Sequence, residues 1–466
     1  MPSPTRETGK QSDEFLFAGQ ALLPEGWQSD VLIRIDARGR IAEVTPGAAP
    51  QGTRRAVVLP APVNLHSHAF QRAMAGMSEA RGPEPRDTFW TWRQIMFRFL
   101  DLLTPEDVEA IAALVQVEMA EAGYAAVGEF HYLHHQPGGT PYDDLGEMSA
   151  RIAAAADQTG LGLTMLPVLY SQGGCDGRVL GAGQVRFGND PERFARLHDA
   201  ARRAISGLPG DTILGVAPHS LRAVTPEGLS AAIALAGDTP IHMHLAEQVA
   251  EVTEVEAAHG QRPVDYLLGR HEITAQWCLI HCTQMTGTET LALAQSGAVA
   301  GLCPITESSL GDGIFNGVSY LGAGGRIGLG SDSNIRISLS EELRTLEYSQ
   351  RLRDLCRASV ATPTQSTGRV LYDAALRGGA QAAGRTSGVI ETGAFADLLA
   401  LDGEAIDLEG RRGDALLDAW IFAGSDAMVT DLWSAGRHIV QDGRHHRGDV
   451  IRARYRDRMR ALREKL

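Results

Sequence analysis

The middle of the chain alternates short apolar runs with longer stretches of helical periodicity. One of these stretches, residues 104–123, begins with the capping-box pattern Thr-x-x-Asp and ends in glycine. Short runs that are apolar on both faces and separated by helices are typical of parallel strands. Eight such runs predict a (β/α)8 TIM-like barrel over residues 60–389. The runs cover residues 57–65, 125–132, 161–170, 212–220, 240–247, 277–284, 298–307 and 326–333.

The two ends of the chain have a different texture from the middle. Residues 14–59 break into short alternating pieces separated by turn residues, which indicates a small antiparallel sheet. The same texture returns in residues 390–446, so we expect the two segments to complete one small β-sandwich. Residues 447–466 form a basic tail with a helical pattern. The predicted fold class is therefore α/β, with a barrel flanked by a sandwich.

Composition narrows the classes of partner and the location. The 466 residues carry a net charge of −14, which argues against nucleic acid and means that an anionic substrate needs local arginines. No apolar stretch is long enough to span a bilayer, so no membrane partner is expected. The N-terminal segment is polar, and the five cysteines form no CxxC pair. We expect a cytoplasmic protein without a disulfide framework.

Polar side chains capable of metal binding follow several of the apolar runs. Catalytic groups of such barrels lie at the carboxyl ends of the strands, so these positions matter most. His66 and His68 are two residues apart on extended chain and point the same way. With His244 and Asp332 they offer three nitrogens and one oxygen, a donor set that suits a mononuclear zinc site. The polar residues at the ends of the first, fifth, sixth and eighth runs are His66, His68, His244, Glu247, His281 and Asp332.

A His-x-His pair by itself is weak evidence for a metal, because histidine also occurs in polar turns and in packed cores. His242 precedes His244 by two residues, and we interpret it as a packed histidine rather than a ligand. The ordering of the whole set along the eight runs favours the metal interpretation.

This ordering resembles the amidohydrolase superfamily, as does the segment GAFADLLALD at 393–402. Members of that superfamily with two metals bridge them with a carboxylated lysine. The only lysines here are Lys10 and Lys465, which excludes that bridge and favours one divalent ion per subunit. Within the superfamily the chain resembles the formimidoylglutamate deiminases. The segments that carry this resemblance are NLHSHAFQRAMAGM, FWTWR, EFHYLHH, HSLRAVTP, HMHLAEQ, GDGIF and GSDS.

The resemblance implies hydrolysis of the formimino C=N bond of N-formimino-L-glutamate, with release of ammonia. Asp332 and His281 would orient the attacking water and take its proton, and Glu247 would carry a proton to the imine nitrogen. Zinc fits the ligands, with iron and manganese as alternatives. The family habit implies a homodimer. The residues implied to bind the dicarboxylate substrate are Gln71, Arg93, Tyr132, His219 and Arg222.

Two other functions stay open at this point. A deaminase of guanine or a related heterocycle would use the same metal ligands, although the two arginines suit carboxylates better. A non-catalytic barrel would be expected to have lost a ligand or Glu247, and all of these residues are present.

Overall fold

In the computed structural model of the protein, residues 13–79 and 89–465 are described, with Phe89 and Trp90 as backbone only. The strands of the described chain are, in order, β1 (Glu14–Leu23), β2 (Gly26–Ile35), β3 (Ile41–Thr45), β4 (Thr53–Pro60), β5 (Val63–Ser67), β6 (Ala126–His131), β7 (Gly162–Leu169), β8 (Ile213–Leu214), β9 (Ala217–Pro218), β10 (Ile241–Leu245), β11 (Trp277–His281), β12 (Val299–Leu302), β13 (Arg326–Leu329), β14 (Leu398–Leu401), β15 (Val429–Ser434), β16 (Arg437–Gln441) and β17 (Arg444–His445).

The helices alternate with these strands through the middle of the chain. They are α1 (Phe89–Leu100), α2 (Pro105–Glu121), α3 (Glu147–Thr159), α4 (Pro191–Ile205), α5 (Pro226–Ala236), α6 (Val249–His259), α7 (Pro263–Arg270), α8 (Gly287–Gln295), α9 (Pro304–Leu310), α10 (Gly317–Gly322), α11 (Leu339–Asp354), α12 (Thr367–Ala382), α13 (Asp414–Phe422) and α14 (Gly448–Arg463). Thr104 caps α2 in the predicted capping box, since its side chain accepts from the Asp107 N–H and the Asp107 carboxylate accepts from the Thr104 N–H.

Strands β5 to β13 form the predicted barrel. They pair in parallel in chain order, with β8 and β9 both joined to β7. Single bridges from Val216 to Ile241 and from Ser67 to Asp332 connect the two parallel sheets and close the circle. Strand β5 is buried along its whole length, as expected for a barrel strand covered on both faces. The (β/α)8 prediction is confirmed.

Two of the eight predicted apolar runs do not each correspond to one continuous barrel strand. The run 57–65 contains the end of β4, which lies in the sandwich, and the start of β5, which lies in the barrel. Pro60 and Pro62 stand where the chain passes from one to the other, and proline cannot donate to a strand ladder. The fourth run, 212–220, is split into the short strands β8 and β9.

The remaining strands form a sheet with the order β17-β16-β15-β14-β4-β1-β2-β3. Trp433 of β15 donates to the Glu14 carboxylate at the start of β1 over 3.3 Å. Buried residues from both ends share one core, as in a small β-sandwich. The prediction of a purely antiparallel sheet is wrong, because β1 and β4 pair in parallel. The long connection through β2 and β3 makes that parallel pairing possible.

A buried arginine joins the sandwich to the barrel. Arg385, which follows α12, donates to Asp397 over 2.6 Å and to Asp211 over 2.9 Å. Arg437 of β16 donates to the same Asp211 carboxylate over 2.7 Å. Loss of one partner from a buried ion pair typically costs about 3–5 kcal/mol, so this contact holds the two parts in one arrangement.

The tail predicted to be helical is α14, which packs on α2 through a row of ion pairs. Arg454 lies 2.7 Å from Glu109 and Arg458 lies 2.6 Å from Asp107, while Arg452 pairs with Glu121. Across the described residues, none of the helices combines the length and the apolar character needed to cross a membrane.

Candidate active site

The strands that carry the predicted ligands end at one mouth of the barrel, where the backbone turns sharply. His281, Asp332 and Asn334 have φ values of 72°, 46° and 54°, and Ala246 has 51°. Such left-handed conformations are uncommon outside glycine, and they cluster at functional sites where the surrounding structure enforces them. Ala246 directly follows β10, His281 is the last residue of β11, and Asp332 and Asn334 lie in the loop that follows β13.

The four predicted metal ligands converge at this mouth. The Nε2 atoms of His66 and His68 each lie 3.2 Å from Oδ1 of Asp332. Nε2 of His244, from the opposite side of the barrel, lies 3.2 Å from Nε2 of His66. All four side chains are buried or nearly so. Residues from three strand ends, far apart in sequence, thus share one centre.

The hydrogen bonds made by Nδ1 of His68 and His244 determine which nitrogen of each ring carries the proton. Nδ1 of His68 lies 3.0 Å from the Phe130 carbonyl, and Nδ1 of His244 lies 3.1 Å from the His219 carbonyl. A carbonyl only accepts, so each Nδ1 carries the proton and each Nε2 presents a lone pair to the centre. Burial lowers the pKa of His66 to about 3 and that of His244 well below its usual value, which keeps both imidazoles neutral.

Imidazole nitrogens that face one another beside a carboxylate form a donor set that suits a cation. Burial opposes ionisation of Asp332, but the neighbouring imidazoles of His66 and His68 outweigh it and hold the pKa of that carboxyl well below its usual value. The donor atoms of His66, His244, His281 and Asp332 all lie within 4.8 Å of one another. The residues therefore fit a single divalent ion with nitrogen and oxygen ligands.

His281 lies beside the predicted ligands and is held by a carboxylate that sequence reasoning missed. Its Nδ1 lies 3.2 Å from Oε1 of Glu307, and its Nε2 lies 3.7 Å from Oε1 of Glu247. Burial alone would lower the pKa of His281, but Glu247 and Glu307 outweigh it and raise that pKa well above the usual value. Nothing in the sequence distinguished Glu307, which lies in α9, from a surface glutamate.

Glu247 lies two residues after the end of β10 and two residues before the first residue of α6. Burial raises the pKa of its carboxyl to about 7, and the nearby charge of Asp332 acts in the same direction. The turn that carries it is anchored by Glu251, whose carboxylate accepts from the Ala246 and Glu247 N–H groups over 3.1 and 2.9 Å. A carboxyl with a pKa near neutrality can both hold and release a proton at physiological pH.

A network of amides and a hydroxyl aligns the two strand ends that close the barrel. Asn64 donates to Oγ of Ser331 over 2.7 Å, and Ser331 donates to Oδ1 of Asn334 over 2.6 Å. The Asn334 amide then donates to Ser67 Oγ, the His68 carbonyl and the Asp332 carbonyl at 3.1–3.2 Å. Sequence reasoning missed all three residues, because amides and hydroxyls carry no chemistry of their own that marks them.

The site opens into a cavity with about 540 Å³ of empty space, including solvent at its mouth. The cavity brings together every residue that the resemblance implied for substrate binding. Gln71 donates to the Tyr132 hydroxyl over 2.8 Å, and Arg93 of α1 donates to the Tyr170 hydroxyl over 2.7 Å. The lining residues with a predicted role are His68, Gln71, Arg93, Tyr132, His219, Arg222, His244, Glu247, His281 and Asp332.

Other histidines and cysteines lie outside the cavity. His242 donates to the Ala382 carbonyl over 2.7 Å, which agrees with its interpretation as a packed histidine. His134 and His135 likewise bind the carbonyls of Val168 and Gly188. Cys278, Cys282 and Cys303 are fully buried, as small core residues.

Two family models match the chain. The model described as the amidohydrolase family matches residues 57–439, and the N-terminal domain of the formimidoylglutamate deiminase HutF matches residues 13–56. A formimidoylglutamate deiminase of Pseudomonas aeruginosa is 49% identical over 92% of this chain and 95% of its own. A 5-methylthioadenosine/S-adenosylhomocysteine deaminase of Natronomonas pharaonis is 28% identical over 91% of each chain.

Solved structures give the same picture. An amidohydrolase from Brucella melitensis superposes with a TM-score of 0.92 at 48% identity, over 96% of this chain and 99% of that chain. An adenosine deaminase from Xanthomonas campestris superposes with a TM-score of 0.79 at 23% identity, over 96% and 99% of the two chains, and shows the shared fold.

The network around Asn334 generates a prediction about metal affinity. Asn334→Ala removes the amide that aligns His68 with Asp332, and changes of this kind weaken metal binding by about 10- to 100-fold. The affinity for zinc, used as a probe in competition with a chelator, measures the effect. Asn316→Ala removes the amide hydrogen bond of Asn316 to Thr290, away from the cavity, and should leave zinc affinity unchanged. Equal affinities in both variants would refute the alignment role.

Proposed function

The chain belongs to the amidohydrolase family, and we propose that it hydrolyses N-formimino-L-glutamate to N-formyl-L-glutamate and ammonia. The observation that carries the proposal is the cavity itself, in which an imidazole–carboxylate centre, a carboxyl with a pKa near 7 and two guanidinium groups face one another. The Pseudomonas aeruginosa relative, which carries the name of this activity, matches the chain almost end to end.

The centre would hold one divalent ion, and zinc is the ion we propose. His66, His68 and His244 would supply nitrogens and Asp332 an oxygen, a set that zinc accepts readily and that iron or manganese can also use. A divalent ion held there acidifies water, so that a nucleophile is available near neutral pH.

The substrate is a dicarboxylate, and the cavity offers guanidinium groups within an acidic protein. Arg93 and Arg222 both line the cavity, and Arg222 is buried. Burial opposes the charge of Arg222, but Glu251 and other neighbours outweigh it and raise the pKa of that guanidinium. Arginine binds carboxylates in bidentate fashion, so each guanidinium suits one carboxylate of the substrate. Gln71, Tyr132 and His219 would add hydrogen bonds.

The acid–base steps use three side chains. Asp332 stays ionised and accepts a proton from the attacking water, which His281 orients as the water oxygen bonds to the formimino carbon. Glu247, in its protonated form, donates its proton to the formimino nitrogen. The proton held by Asp332 then passes to the same nitrogen, and the hydroxyl that came from water gives its remaining proton to Glu247 as the bond from carbon to nitrogen breaks. The bonding pair leaves with the nitrogen, ammonia departs, and the water oxygen becomes the formyl oxygen.

A heterocycle deaminase on the same scaffold is the alternative that the sequence left open. The identity to the 5-methylthioadenosine/S-adenosylhomocysteine deaminase is 28%, against 49% for the formimidoylglutamate deiminase. A neutral base would also offer no carboxylate to the two guanidinium groups that line the cavity. A non-catalytic barrel does not account for the complete set of acid–base residues.

The assembly and location proposed from the sequence are a homodimer in the cytoplasm. The net charge of −14 supports a protein that binds neither nucleic acid nor anionic surfaces. The five cysteines are free, as in proteins from reducing compartments.

The substrate assignment predicts a clear preference in an ammonia-release assay. N-formimino-L-glutamate should be hydrolysed, while guanine and adenine should release ammonia at least about 100-fold more slowly, because neither base satisfies the two arginines. The metal content of the same preparation is measured alongside. No hydrolysis of N-formimino-L-glutamate by protein that retains its ion would refute the proposal, and hydrolysis of guanine instead would favour the alternative.

The role of Glu247 predicts a defect in the chemical step rather than in binding. Glu247→Gln keeps the shape but cannot release a proton, and loss of general acid–base catalysis costs about 10²- to 10⁴-fold in kcat. KM and metal content should change little. Glu256→Gln, at an exposed position of α6, is the matched control. A kcat within about threefold of the wild type would contradict the role, because general acid catalysis contributes far more than that.

A further inference from the structure

Tyr170 is a cavity residue to which neither the sequence analysis nor the mechanism above assigns a role. It is the polar residue that follows β7, the third barrel strand, so it occupies the same kind of strand-end position as the catalytic residues. Its side chain is 3% exposed and lines the cavity beside Arg93 and Arg222.

The hydrogen bonds of the Tyr170 hydroxyl are unusual in that both come from donors. Nη2 of Arg93 donates to it over 2.7 Å, and Nε2 of Gln184 donates over 2.8 Å. The orientation of the Gln184 amide is independently set, because its Oε1 accepts from the Gly181 N–H over 2.9 Å. The nitrogen of that amide must therefore face the phenol.

A phenol oxygen has two lone pairs and one O–H group. With both lone pairs taken by Arg93 and Gln184, the oxygen can only act as a donor towards any further group. Among the residues that the structure describes, none accepts this O–H. A buried donor without an acceptor costs free energy, so the position favours a ligand that supplies one.

The rest of the Tyr170 side chain is held firmly in place. Its ring packs against the ring of His219, with centroids 4.6 Å apart, and against Phe187 at 5.6 Å. These contacts and the two incoming hydrogen bonds leave the phenol little freedom to turn away from the cavity. The hydroxyl is therefore preorganised as a donor next to two guanidinium groups.

We propose that Tyr170 is a further specificity residue, whose O–H donates to the same substrate carboxylate that Arg93 binds. The inference rests on the proposed function, since it assumes a dicarboxylate substrate. Because Arg93 and Tyr170 are joined by a hydrogen bond and line the same cavity, a carboxylate bound to Arg93 would lie within reach of the Tyr170 hydroxyl. Gln184 acts as a positioning residue, because its amide fixes the phenol oxygen.

The first test compares Tyr170→Phe with the wild type on three substrates: N-formimino-L-glutamate, N-formimino-4-aminobutyrate, which lacks the α-carboxylate, and N-formimino-2-aminobutyrate, which lacks the side-chain carboxylate. Loss of a hydrogen bond to a charged group should raise KM for N-formimino-L-glutamate by about 10- to 100-fold, with kcat largely retained. The effect should vanish on one of the two analogues, and it should be the analogue on which the effect of Arg93→Met also vanishes.

The second test separates direct binding from mere support of Arg93. If Tyr170 donates its own hydrogen bond, Arg93→Met/Tyr170→Phe should bind more weakly than Arg93→Met alone, by about tenfold or more. If Tyr170 only orients Arg93, adding Tyr170→Phe to Arg93→Met should cause no further loss, and that result overturns the inference. Gln184→Ala should raise KM in the wild type and add nothing in Tyr170→Phe.

Two controls separate a failure of the Tyr170 proposal from a failure of the proposed function. Tyr348→Phe removes the same atom from a half-exposed position on α11 and should leave kinetics unchanged. Binding of the product N-formyl-L-glutamate is measured by calorimetry for every variant. If the wild type binds N-formyl-L-glutamate but does not turn over N-formimino-L-glutamate, the proposed function is refuted. The binding data for the variants then still test the role of Tyr170. A wild type that does not bind N-formyl-L-glutamate overturns both.

Discussion

The contact between the first and last strands of the barrel determines the geometry of the whole site. His66 and His68 flank Ser67, which forms the bridge to Asp332, and backbone hydrogen bonds of 2.9 Å join His66 to Asp332 and Asp332 to His68. The same contact that closes the barrel therefore brings two imidazoles and a carboxylate to one point. Sites built on strands hold their side chains more precisely than sites on loops, so this contact preorganises the three groups.

The ionisable side chains around this centre differ in charge, and each charge suits a different part of the reaction. Asp332 remains ionised beside the imidazoles, while burial raises the pKa of the Glu247 carboxyl to about 7. The guanidinium groups of Arg93 and Arg222 line the same cavity. An acidic protein can in this way bind a dicarboxylate, because local hydrogen-bonding geometry outweighs the overall charge.

The sequence predicts the barrel and its ligands well because both follow from local patterns. Apolar runs mark buried strands, and histidines or acids at their ends mark the mouth. It does not predict the parallel pairing of β1 with β4, since strand direction depends on contacts distant in sequence. Nor does it single out Asn64, Asn334 or Glu307, whose importance lies in which backbone or ring atom each one binds. Tyr170 ends an apolar run as the histidines do, and only its hydrogen bonds reveal that it is a donor.

The central claim is that the buried imidazoles and Asp332 form one mononuclear metal site. Anomalous diffraction from crystals of the protein, recorded on both sides of the zinc absorption edge, tests it most directly. We expect one peak per chain, about 2.0–2.2 Å from Nε2 of His66, His68 and His244 and from a carboxylate oxygen of Asp332. A peak bound instead by His281, Cys303 and Glu307, the neighbouring group that could also hold an ion, would contradict the account, as would two peaks in one barrel.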